Sequence, residues 1–457
     1  MPEDRGAPPP LAPAASIEGR ASWIAAGATL AILALAYGGP LIVVVDLTRI
    51  QASLGTDRSM VALASAVAWL GTGLGGILMG HLADRVGIRT IAAIGATMMA
   101  GGLALSATGS LAALLIGHGV LMGFLGNGAL YPPLVVYVSR WFDRHRGTAI
   151  ALISSGQYIA GMFWPTPFEH ISATIGWQAT MLAYAAFILV TVLPLVLLLL
   201  HPAPAATVHK EIAPGETTSP GGPALSTPSA SPRAASPRAA SPRAASPGAA
   251  PAHGLPGLTA GRLQAMLCLA SFLCCVPMAI PQAHLVAFAG SLGFTAVKGA
   301  AMLSVMLATA FAGRQLWGLL AERIGALPTL VLGELCQVTA IALFAVTRNE
   351  TALFVLAGAY GLGFSGIIPS YVLVVRELFP SADAAMRIPL LLFTSMLGMA
   401  VGTWWAGVLF DHFGSYAPAF ANGVLFNLVN IAILSFLLSR WRAGRRGGRG
   451  VARLGIV

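Results

Sequence analysis

Two related stretches organise this sequence: GHLADRVGIRT at residues 80–90 and GLLAERIGALP at residues 318–328. Their first residues, Gly80 and Gly318, are 238 positions apart. Three further pairs of glycines keep the same separation: Gly87 with Gly325, Gly123 with Gly361, and Gly176 with Gly414. Four glycine pairs at a single offset indicate that the chain contains two copies of one unit.

The composition of the chain excludes a soluble fold. Of its 457 residues, 56% are hydrophobic and only 9% are charged, whereas ordinary soluble domains are about 25% charged. The apolar residues form continuous runs of 20 or more, and not the alternating pattern of a transmembrane β-barrel. The chain is therefore predicted to be an all-α integral membrane protein.

The apolar runs predict twelve transmembrane helices in two pseudo-repeated halves of six. They lie near residues 22–46, 59–82, 90–109, 111–138, 147–168, 177–200, 262–290, 297–320, 327–347, 351–375, 387–410 and 416–439. Parallel repeats of this kind enclose a central cavity, with the binding site near the middle of the membrane.

The polar segments complete the domain organisation. The segment between the halves repeats SPRAA and contains proline in every unit, a composition that cannot offset the entropy of folding. The predicted divisions are a disordered N-terminal tail (1–21), the first six-helix bundle (22–201), a disordered linker (202–260), the second bundle (261–440) and a basic tail (441–457).

The net charge of +10 could suggest nucleic-acid binding, but its distribution favours a membrane. With both termini in the cytoplasm, 21 of the 26 Lys and Arg residues fall on cytoplasmic segments. Four fall outside (Arg49, Arg58, Lys298 and Arg348), and Arg314 lies within the membrane. This imbalance follows the positive-inside rule. We expect a multi-pass protein of a bacterial cytoplasmic (inner) membrane, monomeric in the lipid bilayer and without a nucleic-acid partner.

The stretch at 80–90 resembles the Gly-x-Leu-Ala-Asp-Arg-x-Gly-x-Arg motif of the major facilitator superfamily. In that family the loop latches the two halves together in the outward-facing state, and the twelve predicted spans agree with the family's fold. The resemblance implies a latch formed by Gly80, Asp84, Arg85, Gly87 and Arg89, together with Glu322 and Arg323 of the second copy. The second copy lacks the later basic residue, so its latch is expected to be weaker.

Further stretches resemble the branch of bacterial monocarboxylate transporters and oxalate/formate antiporters. They are SRWFDRHRGTAIALISSGQYIAG (139–161), PQAHLVAFAGSLGF (281–294) and AGRQLWGLLAERIG (312–325). In that branch an arginine on the eighth helix, followed four residues later by glycine, binds the substrate carboxylate. Arg314 and Gly318 match that pattern.

Arg314 needs a partner on physical grounds as well. An arginine within an apolar span costs at least ~2.5 kcal/mol and does not lose its charge. Its planar guanidinium matches a carboxylate through two parallel hydrogen bonds. The prediction is that Arg314 receives the substrate carboxylate, and the alternative is a structural pair with an acid such as Glu334.

The proton carriers of related transporters are missing. A first-helix lysine is replaced by Leu41, an acid before the eighth-helix arginine by Ala310, and a seventh-helix aspartate by Gly290. His284 is a candidate replacement for proton coupling and for substrate binding, because its ordinary pKa of about 6.5 allows protonation in the working range. The alternative is a neutral histidine bonded within the bundle. Symport, antiport and uniport all remain open.

Uncharged polar residues supply the other candidate ligands. Asn127 and Tyr131 are four residues apart and share one face of the fourth helix. Gln157 lies on the fifth helix. Such groups orient an anion without adding charge, although each could equally form a hydrogen bond between helices.

These observations predict a secondary active or facilitative transporter of a small organic anion, most simply a monocarboxylate, working by alternating access. The alternative is a carrier of the same superfamily for a neutral metabolite or for drug efflux, with Arg314 in a structural role. No GxxxxGK[ST] motif and no metal-ligand spacing occur. We therefore expect no cofactor, no metal and no enzymatic activity.

Overall fold

The computed structural model describes residues 18–201, 255 and 257–453. Residues 1–17, most of the predicted linker (202–254 and 256) and residues 454–457 lie outside this part of the chain. The predictions made for those segments therefore stay predictions.

Helices account for nearly all of the described chain, and they follow the predicted spans closely. The first half contains α1 (Arg20–Val45), α2 (Arg58–Val86), α3 (Ile88–Ser106), α4 (Leu111–Ser139), α5 (Arg146–Ser154, Gly156–Phe163 and Pro165–Ile175) and α6 (Trp177–Leu199). The second half contains α7 (Ala260–Ser291), α8 (Ala296–Ile324), α9 (Ala326–Val346), α10 (Glu350–Leu378), α11 (Ser381–Phe413) and α12 (Ala417–Arg453). A short helix, Leu47–Leu54, follows α1.

The fifth element corrects one detail of the prediction. Eleven of the twelve elements in the described chain are long and apolar enough to cross a membrane, and α5 is the exception. The structure divides α5 at Ser155 and Trp164. The second break directly precedes Pro165, which has no backbone N–H to continue the helical hydrogen bonds. The count of twelve elements therefore holds, and shorter breaks also occur at Tyr37 in α1 and at Ser365 and Gly366 in α10.

The paired glycines have matching structural roles. Gly87 and Gly325 separate the second and third helices of their halves at φ values of 89° and 91°, where residues with a Cβ are strained. Gly123 and Gly361 lie where helices cross in close contact. A Cβ on Gly123 would lie 2.6 Å from the carbonyl oxygen of Ala68, and one on Gly361 would lie 2.0 Å from that of Met306. The 238-residue repeat is thus a repeat of backbone geometry.

The two halves pack together along matched helices. The main contacts between them join α2 to α11 and α5 to α8, and α1 also contacts α7. The packing of α5 on α8 is tight, since a Cβ on Gly161 would lie 2.0 Å from a methyl group of Leu307. Small residues at such crossings allow helices to approach closely in lipid. The central cavity lies between these helix pairs.

Candidate functional site

The central cavity has a volume of about 110 Å³ and is lined by residues of both halves. Its polar lining residues are Tyr37, Ser65, Thr72, Asn127, Gln157 and Tyr158 from the first half, and Gln282 and Thr403 from the second. The remaining wall is aliphatic apart from the indole of Trp69. Because the lining contains amides and hydroxyls but no ionised side chain, it can orient a ligand through hydrogen bonds without fixing its charge.

Arg314 lies next to this lining, near the middle of α8. Its side chain is partly buried, and its guanidinium carbon is 5.4 Å from the centre of the Tyr158 ring. Among the described residues it forms no ion pair. A contact of this kind with an aromatic ring contributes about 0.5–2 kcal/mol, comparable to or below the ~2.5 kcal/mol or more of holding the charge within the membrane, and a neutral ring supplies no counter-charge. The guanidinium group can therefore still bind an anion.

Glu334, the structural partner considered for Arg314, lies elsewhere. It is fully buried in α9, and its neighbours are polar and uncharged. With its N–H turned towards the carboxyl group, the amide of Asn427 lies 3.0 Å from Glu334 Oε2. Gln337 and Asn427 form part of the same cluster, with their amides 3.2 Å apart. The structure does not bring Glu334 and Arg314 together.

The predicted amide ligands reach the cavity. Asn127 and Gln157 both line it, and Asn127 is only 5% exposed. The Asn127 Oδ1 atom is buried and has no hydrogen-bond partner within the described chain. Buried polar atoms are normally paired, so this oxygen is available to a ligand or to water. Tyr131 packs edge-to-face on the lining residue Tyr37, with ring centres 6.0 Å apart, and is not itself part of the wall.

His284 lies behind the wall, and the structure does not place it among the lining residues. It is fully buried, with Nε2 2.8 Å from the carbonyl oxygen of Thr403 and Nδ1 3.0 Å from the hydroxyl of Tyr416. A carbonyl accepts only, so Nε2–H donates to Thr403, and Nδ1 accepts from Tyr416 when the ring is neutral. This neutral ring satisfies both nitrogens. The prediction that His284 contacts substrate directly does not agree with this placement.

Several lining residues were missed from the sequence. Ser65, Trp69 and Thr72 lie on α2 at spacings of four and three residues, which places them on one helical face. Thr403 also lines the cavity, and its hydroxyl is buried without a partner in the described chain. The spacing predicts that these three residues share a face of α2. Periodicity does not show which face of a buried helix lines a cavity.

The predicted latch residues do not join the two halves in this structure. Asp84 pairs with Arg140 of its own half, with the carboxylate and guanidinium 2.6 Å apart and both side chains more than half exposed. Arg89 donates to the carbonyl of Leu200, also in the first half. Arg85, Glu322 and Arg323 are exposed. The role of this loop as a latch stays a prediction.

Comparisons with known proteins agree with this architecture. The family model described as Major Facilitator Superfamily matches residues 24–247. Mouse monocarboxylate transporter 11 is 25% identical over 424 residues, covering 89% of this chain and 85% of that protein. Rat monocarboxylate transporter 13 is 24% identical over 356 residues, covering 77% of this chain and 74% of its own length.

A solved structure has the same fold. It is a bacterial homologue of the human lysosomal transporter Spinster in an inward-facing and occupied conformation. The TM-score is 0.67 at 15% sequence identity, and the match covers 91% of this chain and 96% of that one. At this identity the likeness concerns the arrangement of helices alone.

Proposed function

We propose that this chain, a transporter of the Major Facilitator Superfamily, carries a small monocarboxylate across the membrane by alternating access. The observation that carries the proposal is the state of Arg314. Its charge lies within a membrane span, beside the cavity, and has no ion pair among the described residues. A substrate carboxylate would supply the missing counter-charge.

The chemistry of the cavity supports this substrate class. A carboxylate bound by the guanidinium would lie beside Tyr158, whose ring is within the reach of Arg314 and whose side chain also lines the cavity. The apolar remainder of the substrate would face the aliphatic wall, which includes Leu41, Val44 and Leu307. Asn127 and Gln157 would orient polar substituents. The names of the two monocarboxylate transporters among the relatives point the same way.

The size of the cavity is suited to a small substrate. An apolar cavity of about 150 Å³ accommodates benzene, and the present cavity is about 110 Å³. A body of a few non-hydrogen atoms fits this space. A short-chain monocarboxylate is therefore of a suitable size for this cavity.

A second candidate function is the transport of a small neutral metabolite. It is favoured by one observation, the absence of any ionised side chain from the lining of the cavity. In that case Asn127, Gln157 and Gln282 would bind the substrate, and Arg314 would act through Tyr158 alone. This alternative leaves the cost of the unpaired guanidinium unexplained, so we place it second.

For the orientation of the chain, we propose that both termini face the cytoplasm, as the distribution of Lys and Arg predicts.

If transport is coupled to protons, His284 is the residue that we propose as the proton carrier. Its ring bonds to the carbonyl of Thr403, a residue of the cavity wall. Exchange of one anion for another would require no such carrier.

The test is thermal unfolding of the purified protein with a panel of short carboxylates and size-matched neutral amides. A ligand present at 100 times its Kd stabilises the native state by about 2.7 kcal/mol. The variants are Arg314→Gln and Arg314→Lys. Arg348→Gln is the matched control, because Arg348 is exposed and, among the residues that the structure describes, donates only to the carbonyl groups of Thr347 and Ala345.

The proposal predicts that a carboxylate stabilises the native protein and the Arg348→Gln control. Stabilisation should be absent in Arg314→Gln and weakened in Arg314→Lys, which keeps the charge but loses the planar fork. Stabilisation by neutral amides, unchanged in Arg314→Gln, would favour the second function. A carboxylate effect that survives in Arg314→Gln would return Arg314 to a structural role.

A further inference from the structure

Asp411 joins the two halves at the end of the bundle opposite to Asp84. It lies near the C-terminus of α11, in the second half. Its two carboxylate oxygens accept the backbone N–H groups of Arg58, at 3.0 Å, and of Ser59, at 2.8 Å. These are the first two residues of α2, in the first half. One carboxylate therefore binds the start of a helix that lies more than 350 positions away in the chain.

These hydrogen bonds do the work of a helix cap. The first four N–H groups of a helix have no partner within it, and they form the positive end of the helix dipole. A cap usually comes from the residue just before the helix. Here that residue is Asp57, whose side chain makes no capping bond. The N-terminus of α2 thus depends on Asp411, and on α11 staying beside it.

The side chain of Arg58 makes a second connection between the halves. It is 9% exposed, its guanidinium carbon lies 3.7 Å from the centre of the Phe410 ring, and Nη1 donates to the Tyr416 hydroxyl at 3.2 Å. Phe410 and Tyr416 both belong to the second half. Its Nε atom donates to Gln51 of the first half. Separation of the N-terminus of α2 from the second half would break both of the contacts to Phe410 and Tyr416.

The backbones themselves touch at this end. A Cβ on Gly407 of α11 would lie 2.6 Å from the Cα atom of Ser59. Only glycine allows α11 to come this close to α2. The seam is therefore closed by backbone contact as well as by hydrogen bonds.

The same group of residues reaches the cavity wall. The Tyr416 hydroxyl, which accepts from Arg58, lies 3.0 Å from His284 Nδ1. His284 Nε2 in turn bonds to the carbonyl of Thr403, which lines the cavity. A continuous hydrogen-bonded series thus links the cavity to the helix end that Asp411 caps.

We infer that Asp411 is a gate residue of the transport cycle, which holds α2 against α11 in the state closed at this end and releases it when the cavity opens there. The inference rests on the proposed function as a carrier, but it is independent of the substrate. The charge distribution assigns this end to the outer face of the membrane. Asp84, at the other end of α2, bonds within its own half in the same structure.

The experiment measures access to the cavity from each side of the membrane. Ser65, which lines the cavity, is replaced by cysteine as a reporter. A charged, membrane-impermeant thiol reagent is then applied to intact cells and, separately, to inside-out vesicles. The chain with its four native cysteines and without Ser65→Cys sets the background rate.

Two variants open the gate in different ways, and each has a matched control. Asp411→Asn removes the charge of the cap. Its control is Asp383→Asn, which changes an exposed acid near the other end of α11. Gly407→Ala forces the backbones apart while Asp411 is kept. Its control is Gly290→Ala, where a new Cβ meets nothing within 4 Å.

We expect Asp411→Asn to raise labelling from outside by about tenfold, as for the loss of charge-assisted hydrogen bonds, and Gly407→Ala to raise it in the same direction through the steric clash. Labelling from inside should fall, because a protein open to the outside is closed to the inside in the same cycle. The controls should match the parent. Equal rates in Asp411→Asn and Asp383→Asn would overturn the inference, as would a rise from both sides, which indicates general loosening.

If Asp411→Asn does not fold, Gly407→Ala decides by the same criteria. Failure of the gate would leave the proposed function standing, because carboxylate binding is measured separately by thermal unfolding. Failure of carboxylate binding would equally leave the labelling result intact, since the labelling uses no substrate.

Discussion

Replacing Arg49 by glutamine should destabilise the first half strongly. In the native protein Arg49 Nη1 donates to Asp46 Oδ1 at 2.6 Å and to Glu169 Oε2 at 2.7 Å, while Nη2 donates to Glu169 Oε1 at 2.6 Å. Asp46 is 0% exposed and Glu169 is 2% exposed. One guanidinium therefore compensates two buried carboxylates that connect the segment after α1 to the last part of α5.

The magnitude follows from the carboxylates that remain. Breaking a buried ion pair by removing one partner costs about 3–5 kcal/mol, mainly because a buried charge is left uncompensated. The Arg49 side chain is 33% exposed, and solvent screening at such a position reduces the loss. We therefore expect the lower figure, about 3 kcal/mol. Acid should restore part of it, because protonation neutralises the two uncompensated groups.

The assay is thermal unfolding in detergent, with Arg314→Gln as the comparison. Both variants remove one positive charge, but Arg314 has no ion pair among the described residues and should lose little stability. Adding Asp46→Asn and Glu169→Gln to Arg49→Gln should recover much of the loss. Equal melting temperatures for the two single arginine variants would refute the reasoning, and so would a triple variant no more stable than Arg49→Gln.

Three further predictions concern packing, the latch and the linker. Gly75→Ala should lower the melting temperature, since its Cβ would lie 2.0 Å from the carbonyl oxygen of Phe124, whereas Gly101→Ala, with nothing within 4 Å, should not. Asp84→Asn should slow transport more than it weakens substrate binding, and an equal loss in uptake and in binding assays would contradict the latch. Deletion of residues 215–250, outside the described part of the chain, should leave uptake unchanged in correctly inserted protein; loss of uptake would show that the linker is needed.

Much of the fold could be predicted from the sequence, because it depends on local properties of the chain. The length and polarity of the apolar runs predicted the helices, and the structure places most helix ends within a few residues of those positions, although α5 and α12 extend further at their C-termini. The repeated glycines predicted two matched halves, and they have matched backbone roles at Gly87 and Gly325. The prolines at 165 and 167 predict a bend in α5, but the break at Ser155 was not predicted, because hydropathy averages over a window and does not register the loss of single backbone hydrogen bonds.

The candidate functional site could be predicted only in part. Arg314 stood out because an ionised group within an apolar span has few physical explanations. His284 looked equally available in the sequence, yet the structure surrounds it with partners that satisfy both nitrogens. What distinguishes His284 from Arg314 is hydrogen bonding to residues more than 100 positions away in the chain. No local sequence pattern predicts such bonds.

The sequence alone therefore established the membrane location of the helices, their twofold repetition and the presence of one charge in need of a partner. Only the tertiary structure showed that Asp411 caps α2 across the seam and that Thr403 lines the cavity in front of His284. The physical reason is that hydrophobicity and backbone preference act along the chain. The relative placement of the halves depends instead on helix faces that meet across hundreds of residues.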